Sequence, residues 1–130
     1  MEKTTIPVAL DESTENNTLE ELNHIDGVDV FVLKPNLIGS LETAWQHMLF
    51  TQSMAIRPVI SSCYESSLGI YTLASLASCL AHESFTGLDT LKFFEKDILK
   101  EPLKIERGKL QLESRNITAD DIDFSLCEEL

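Results

Sequence analysis

The sequence predicts an α/β fold: a parallel sheet of about four strand–helix units, then a hairpin and a short terminal helix. Three observations predict it. Short apolar runs recur between Ile6 and Thr90, separated by segments with helical spacing. Each run closes on a polar residue or a glycine: Asp11, Lys34, Ser61 and Gly87. From Pro102 the pattern changes to two alternating segments around Arg107-Gly108, which reads as a hairpin with one exposed face.

The first element, Ile6-Pro7-Val8-Ala9-Leu10, reads as a buried strand ending on Asp11-Glu12-Ser13, with polar loop from Ser13 to Asn17. Thr18 followed by Glu21 has the form of a capping box, opening a short helix that Asp26-Gly27 stops. Val28 to Leu33 is the strongest strand. Five of its six residues are apolar, which suits a strand covered on both faces. Lys34 and Pro35 end it, since proline removes a ladder donor. Asn36 to Gly39 is loop, and Ser40 caps a helix to about Ala55, with Trp45, Met48 and Met54 expected on its core face. His47 shows no metal-site company. Pro58-Val59-Ile60 is the third strand, ending at Ser61 to Ser67. A helix rich in small residues runs from Leu68 to Ala81, with Gly69 permitting close approach of backbone or of an anion and Cys79 a buried small residue. Thr86 to Thr90 ends a fourth strand, and a helix to about Leu99 follows. Thr118 caps the last short helix.

The chain has 130 residues, 43% hydrophobic and 25% charged, the values of a globular protein. Its net charge of −12 argues against nucleic-acid binding, which needs cations to neutralise phosphates. Cys63, Cys79 and Cys127 show neither metal spacing nor an even framework, so reduced thiols and a cytoplasmic location are expected. No apolar run is long enough for a helix to span a bilayer.

A lysine at the end of a buried strand either snorkels to water or serves a site, as a base with lowered pKa or as an electrostatic clamp. Asp11 either caps a turn or offers an oxygen ligand to Mg²⁺. Strand C-terminal ends are where α/β barrels place their chemistry. An aspartate, a lysine, a serine cluster and a glycine on four successive strand ends exceed what the plain fold requires.

These residues carry a resemblance. Ala9-Leu10-Asp11-Glu12-Ser13, Leu33 to Glu42, Ile60 to Gly69, and Gly87-Leu88-Asp89-Thr90-Leu91 resemble the o-succinylbenzoate synthase family of the enolase superfamily, from about Ile6 to about Phe94. The resemblance implies a partial (β/α) TIM-type barrel: residues 1–100 as the C-terminal half of the barrel, residues 101–130 as the hairpin and helix completing the fold. It implies a hydro-lyase of menaquinone synthesis that dehydrates a succinyl-hydroxycyclohexadiene-carboxylate. Asp11 would be the third of three carboxylate ligands to Mg²⁺. Lys34 would stabilise the developing anion, and Ser61 and the Gly87 backbone would position the succinyl group.

The chain departs from that family in lacking the Lys-x-Lys motif of the principal base and the first two metal ligands. It is therefore expected to be the C-terminal half of a synthase, from a truncated, split or broken gene, inactive alone and partnered by a missing N-terminal half. The rivals are half of an N-acylamino-acid racemase or dipeptide epimerase, which would share Asp11 and Lys34, and a non-catalytic acidic α/β module that binds a partner or small carboxylate.

Overall fold

The computed structural model describes residues 6–80, 84–112 and 116–127. Three strands, β1 (Ala9–Leu10), β2 (Val30–Leu33) and β3 (Arg57–Ile60), form a parallel sheet in the order β1-β2-β3. The register pairs Ala9 with Val30, Leu10 with Phe31, Val30 with Arg57 and Leu33 with Ile60. Side chains alternate between faces along a strand, so this register sorts the sheet into two sides. Phe31, Leu33, Pro58 and Ile60 lie on the buried side, and Val30, Val32 and Val59 on the half-buried side. Asp11, Lys34 and Ser61 continue the half-buried side past the C-terminal ends of the strands. The partial exposure of that side modifies the expectation of a strand covered on both faces.

Helix α4 (Leu41–Ser53) joins β2 to β3, and α5 (Ser67–Leu80) follows β3. Both pack on the buried side, where Leu22, Phe31, Leu33, Met48, Ile60, Ile70 and Leu73 make the core. Fully burying side chains of this size contributes about 1.5–3 kcal/mol each. Ser40 caps α4 as expected, its hydroxyl accepting from Thr43 N–H at 3.0 Å. The helix ends in a Schellman motif: Ile56 N–H reaches Thr51 O, Ala55 N–H reaches Gln52 O, and Ala55 takes φ 56°. The Thr18–Glu21 capping box is present and opens α2 (Leu19–Leu22).

Several expectations are corrected. The first strand is not buried along its length: its ladder with β2 covers Ala9–Leu10, with Val8 O accepting from Asp29 and Val30 N–H just before it, and Ile6 is 75% exposed. The Ser13–Asn17 loop contains a helical turn, α1 (Ser13–Asn16), and Pro35 starts another, α3 (Pro35–Ile38), being preorganised for a first helical position. Trp45 faces outward: Ala44, His47, Met48 and Thr51 form the inner face of α4, while Leu41, Trp45 and Leu49 make a second apolar stripe on the outside. Cys79 is exposed.

Among the described residues the fourth strand is a single parallel bridge, Ser61 with Gly87, and the helix expected after it is one 3-10 turn at Leu91–Phe93. One contributing cause lies in β3. Ile60 O and Ser62 N–H bond toward Gly87, so by alternation the missing N–H of Pro58 falls on that same side and offers a fourth strand no donor.

The hairpin is present as β4 (Ile105–Glu106) and β5 (Lys109–Leu110). Arg107 and Gly108 both have positive φ, 52° and 72°, as a two-residue type I′ turn requires. Leu103 N–H donates to Ser67 Oγ at 3.0 Å and Ser67 N–H to Asp97 Oδ2 at 2.9 Å, tying this region to the start of α5. Thr118 caps a 3-10 turn, Ala119–Asp121. The expected end of α5 at Ala81 and the charged terminus lie outside the described residues.

Candidate functional site

The site is built at the C-terminal ends of β1, β2 and β3. The Lys34 ammonium lies 2.5 Å from Asp11 Oδ1 and 3.3 Å from Glu15 Oε1. The lysine side chain is only 18% exposed, so these contacts are shielded from bulk water. Asp11 raises the Lys34 pKa above its ordinary value most, burial opposes it, and Glu15 adds to the rise. Lys34 is therefore held as a cation here, not as a base of lowered pKa.

Thr14 sets this geometry. It is fully buried, and its hydroxyl lies 2.6 Å from both Asp11 O and Val32 O. That one hydroxyl holds the turn after β1 against β2 and carries Glu15 round to Lys34. On the other side, Lys34 O accepts from Leu37 N–H and Ile38 N–H, which fixes the lysine backbone at the start of α3.

A third carboxylate, that of Glu65, joins the neighbouring loops. Glu65 Oε1 accepts from Asn36 Nδ2 at 2.7 Å and Oε2 from Cys63 N–H at 2.6 Å. Glu65 sits so close to α5 that a Cβ on Gly69 would lie 2.5 Å from Glu65 Cβ. Of the two uses read for Gly69, close approach is realised, by the chain's own glutamate. Burial and the Glu65 charge push the Cys63 thiol pKa up, so it stays protonated and weakly nucleophilic.

Ser61 follows directly on the Leu33–Ile60 pair, beside Lys34, and bridges to Gly87. Gly87 O accepts from Ser62 N–H at 2.9 Å and from Ser62 Oγ at 3.0 Å. A Cβ on Gly87 would lie 2.7 Å from Ser61 Oγ, so this approach needs glycine. The structure thus brings Asp11, Lys34, Ser61 and Gly87 to one end of the sheet. Glu15, Thr14 and Glu65 were missed in the sequence. Glu15 follows Asp11 by one helical turn, a signal hidden by reading that stretch as loop.

As a Mg²⁺ site these residues do not suffice. No group of three or more His, Cys, Asp or Glu able to hold a metal occurs among the described residues. Asp11 Oδ1 is buried and turned to Lys34. Mg²⁺ demands near-octahedral oxygen coordination, beyond what one engaged carboxylate offers. His47 is buried, its Nδ1 2.8 Å from Thr43 O. No described helix is long and apolar enough to cross a membrane.

A parallel sheet backed by helices on one side, with charged and small polar groups on its strand ends, defines a segment of an α/β barrel. Solved structures share this fold: the L-Ala-D/L-Glu epimerase from Bacillus subtilis matches with a TM-score of 0.73 over 85% of this chain and 31% of its own, at 18% identity. A probable mandelate racemase from Alicyclobacillus acidocaldarius matches at 0.75 over 93% and 33%, at 24% identity. A dipeptide epimerase from Cytophaga hutchinsonii, in complex with Mg and a dipeptide, matches at 0.69 over 82% and 30%, at 24% identity. These structure neighbours are enolase-superfamily enzymes. The particular resemblance is to o-succinylbenzoate synthase: the Pectobacterium atrosepticum enzyme is 38% identical over 98 residues, 75% of this chain and 30% of its own length. The Haemophilus influenzae enzyme is 36% identical over 118 residues, 89% of this chain and 35% of its own. The chain spans about a third of the length of the curated relatives it matches. No protein-family model matches it.

Proposed function

We propose that this chain is the C-terminal part of an o-succinylbenzoate synthase, a cytoplasmic hydro-lyase of menaquinone synthesis. The reaction would convert 2-succinyl-6-hydroxy-2,4-cyclohexadiene-1-carboxylate to 2-succinylbenzoate. A proton leaves the carbon bearing the carboxylate, the ring hydroxyl leaves as water, and the ring becomes aromatic. Residues 1–100 would form the barrel part and 101–130 its closing hairpin and helix.

The observation that carries this reading is the Lys34 ammonium, held charged between Asp11 and Glu15 at a strand end. A fixed cation beside a carboxylate-bearing carbon stabilises the anion that proton removal creates there. Ser61 and the Gly87 backbone, next along the sheet, would position the succinyl arm. The base that removes the proton is not supplied by a Lys-x-Lys motif here. Mg²⁺, named in the dipeptide epimerase complexes, would need carboxylates from outside this chain, with Asp11 contributing one after releasing Lys34. A missing N-terminal half would be the partner this reading needs, its last strand pairing along β1, which lies at the edge of the sheet among the described residues.

The second reading is part of a racemase or dipeptide epimerase, favoured by the names of the structure neighbours. It asks Lys34 to exchange a proton, where the elimination asks it only to stay charged. The test mixes this chain with a separately expressed N-terminal part of a relative and offers the dienyl substrate and dipeptides, with Mg²⁺. Dehydration in the mixture, none by the chain alone and none with Lys34→Ala is the expected result. Epimerisation without dehydration, or turnover by the chain alone, contradicts the reading.

A further inference from the structure

An open cavity of about 680 Å³ lies beside the β4–β5 hairpin and helix α5. That volume is within the range of small-molecule sites, roughly 300–1,000 Å³. It shares no lining residue with the strand-end site. Tyr71 and Leu103 line it with apolar surface, while Lys104, Glu106, Arg107 and Lys109 line it with charge.

The hairpin register explains the charged wall. Pairing of Ile105 with Leu110 and of Glu106 with Lys109 sends alternate residues to opposite faces. Leu110 packs against the core, so Lys104, Glu106 and Lys109 share the other face. Arg107, in the tight turn with both central residues at positive φ, is set at its end. Three cations meet one carboxylate here, in a chain whose net charge is −12. Among the described residues, none of Lys104, Arg107 and Lys109 has an ion pair, although acidic residues outnumber basic ones 22 to 10. Among the described residues, three cations and one carboxylate around one concavity leave a local excess of positive charge facing Tyr71 and Leu103.

We propose that this cavity binds a small amphipathic dianion. Its apolar body packs on Tyr71 and Leu103, and its two negative charges meet Arg107, Lys104 and Lys109, with the guanidinium able to take one carboxylate in a bidentate pair. The proposal is independent of the reaction assigned to the strand ends.

The test is an amide-resolved NMR titration of the full chain with phthalate, a dianion on an aromatic ring, and with benzoate, its monoanion, up to roughly 20 mM, which captures millimolar affinity. Saturable phthalate shifts at residues 102–111 and Tyr71, weakened in high salt and at least about tenfold weaker for benzoate, are expected. The double variant Arg107→Gln/Lys109→Gln, both on the surface, lowers phthalate affinity about tenfold, and Lys34→Met leaves it unchanged. No saturable shift, equal binding of the two acids, an unchanged affinity in the double variant, or shifts gathered at Asp11, Lys34 and Ser61 each overturn the proposal.

Discussion

Asp11 Oδ1 lies 2.5 Å from Lys34 Nζ, although the two residues close different strands, brought together by the register of β1 on β2 and by the Thr14 hydroxyl between them. With Glu15 on the same ammonium, one cation serves two carboxylates. Removing the cation therefore does more harm than removing either acid. Lys34→Met leaves the Asp11 and Glu15 carboxylates without their shared cation and, with the Asp11 side chain 41% exposed, is expected to cost about 1–2 kcal/mol, while Glu15→Gln costs about 1 kcal/mol or less. Urea unfolding of the two variants checks the order, and a Glu15→Gln equal to or worse than Lys34→Met refutes it.

The pH dependence follows from the direction of the Lys34 shift. Its folded pKa is raised above 10.5, so its contribution to stability is fully present below that value and is lost as pH rises through the folded pKa. Thermal unfolding between pH 9 and 12, on the lysine scale near about 10.4, should show a decline that Lys34→Met flattens. A decline unchanged in the variant removes Lys34 as its source.

Gly69→Ala places a methyl group 2.5 Å from Glu65 Cβ, against a side chain fixed by Asn36 and the Cys63 N–H. The first atom of a side chain cannot swing aside, so a loss of about 1–3 kcal/mol is expected. Gly87→Ala meets Ser61 Oγ at 2.7 Å instead. Ser61→Ala removes that oxygen, so the double variant Ser61→Ala/Gly87→Ala should recover part of the loss. Calorimetry of the single and double variants tests this, and strict additivity argues against the contact.

Ala55 occupies the left-handed position of the α4 Schellman motif at φ 56°. A non-glycine residue pays about 1–2 kcal/mol there, partly offset by the greater chain entropy of glycine when unfolded. Ala55→Gly is expected to raise stability by about 0.5–1 kcal/mol, read as a higher urea midpoint at unchanged slope.

The parts of the fold legible in the sequence are those set by local chemistry. The Thr18 and Ser40 caps, the Arg107-Gly108 turn and the apolar runs of β2 and β3 each carry their own signal. The strand-end positions of Asp11, Lys34, Ser61 and Gly87 were legible for the same reason: each follows directly on a recognisable strand or strand end. What was not legible depends on neighbours. Helical spacing gives α4 two apolar stripes and cannot say that Ala44 and Met48, rather than Trp45, meet the sheet. A strand's pairing depends on its partner's donors, and Pro58 offers none on the side that faces Gly87. The sign of the Lys34 shift depends on Glu15 as well as Asp11, and Glu15 reaches the lysine only through a turn too short to announce itself.

The most direct measurement is a graft of residues 6–94 into the corresponding segment of the full-length Haemophilus influenzae o-succinylbenzoate synthase, assayed for dehydration of the dienyl substrate. Turnover by the chimera, with Lys34→Ala in the graft lowering kcat by at least about a hundredfold, is the expected result, since loss of one group that stabilises transition-state charge costs on that order. A folded chimera in which Lys34→Ala turns over as fast as the unmutated graft contradicts the account.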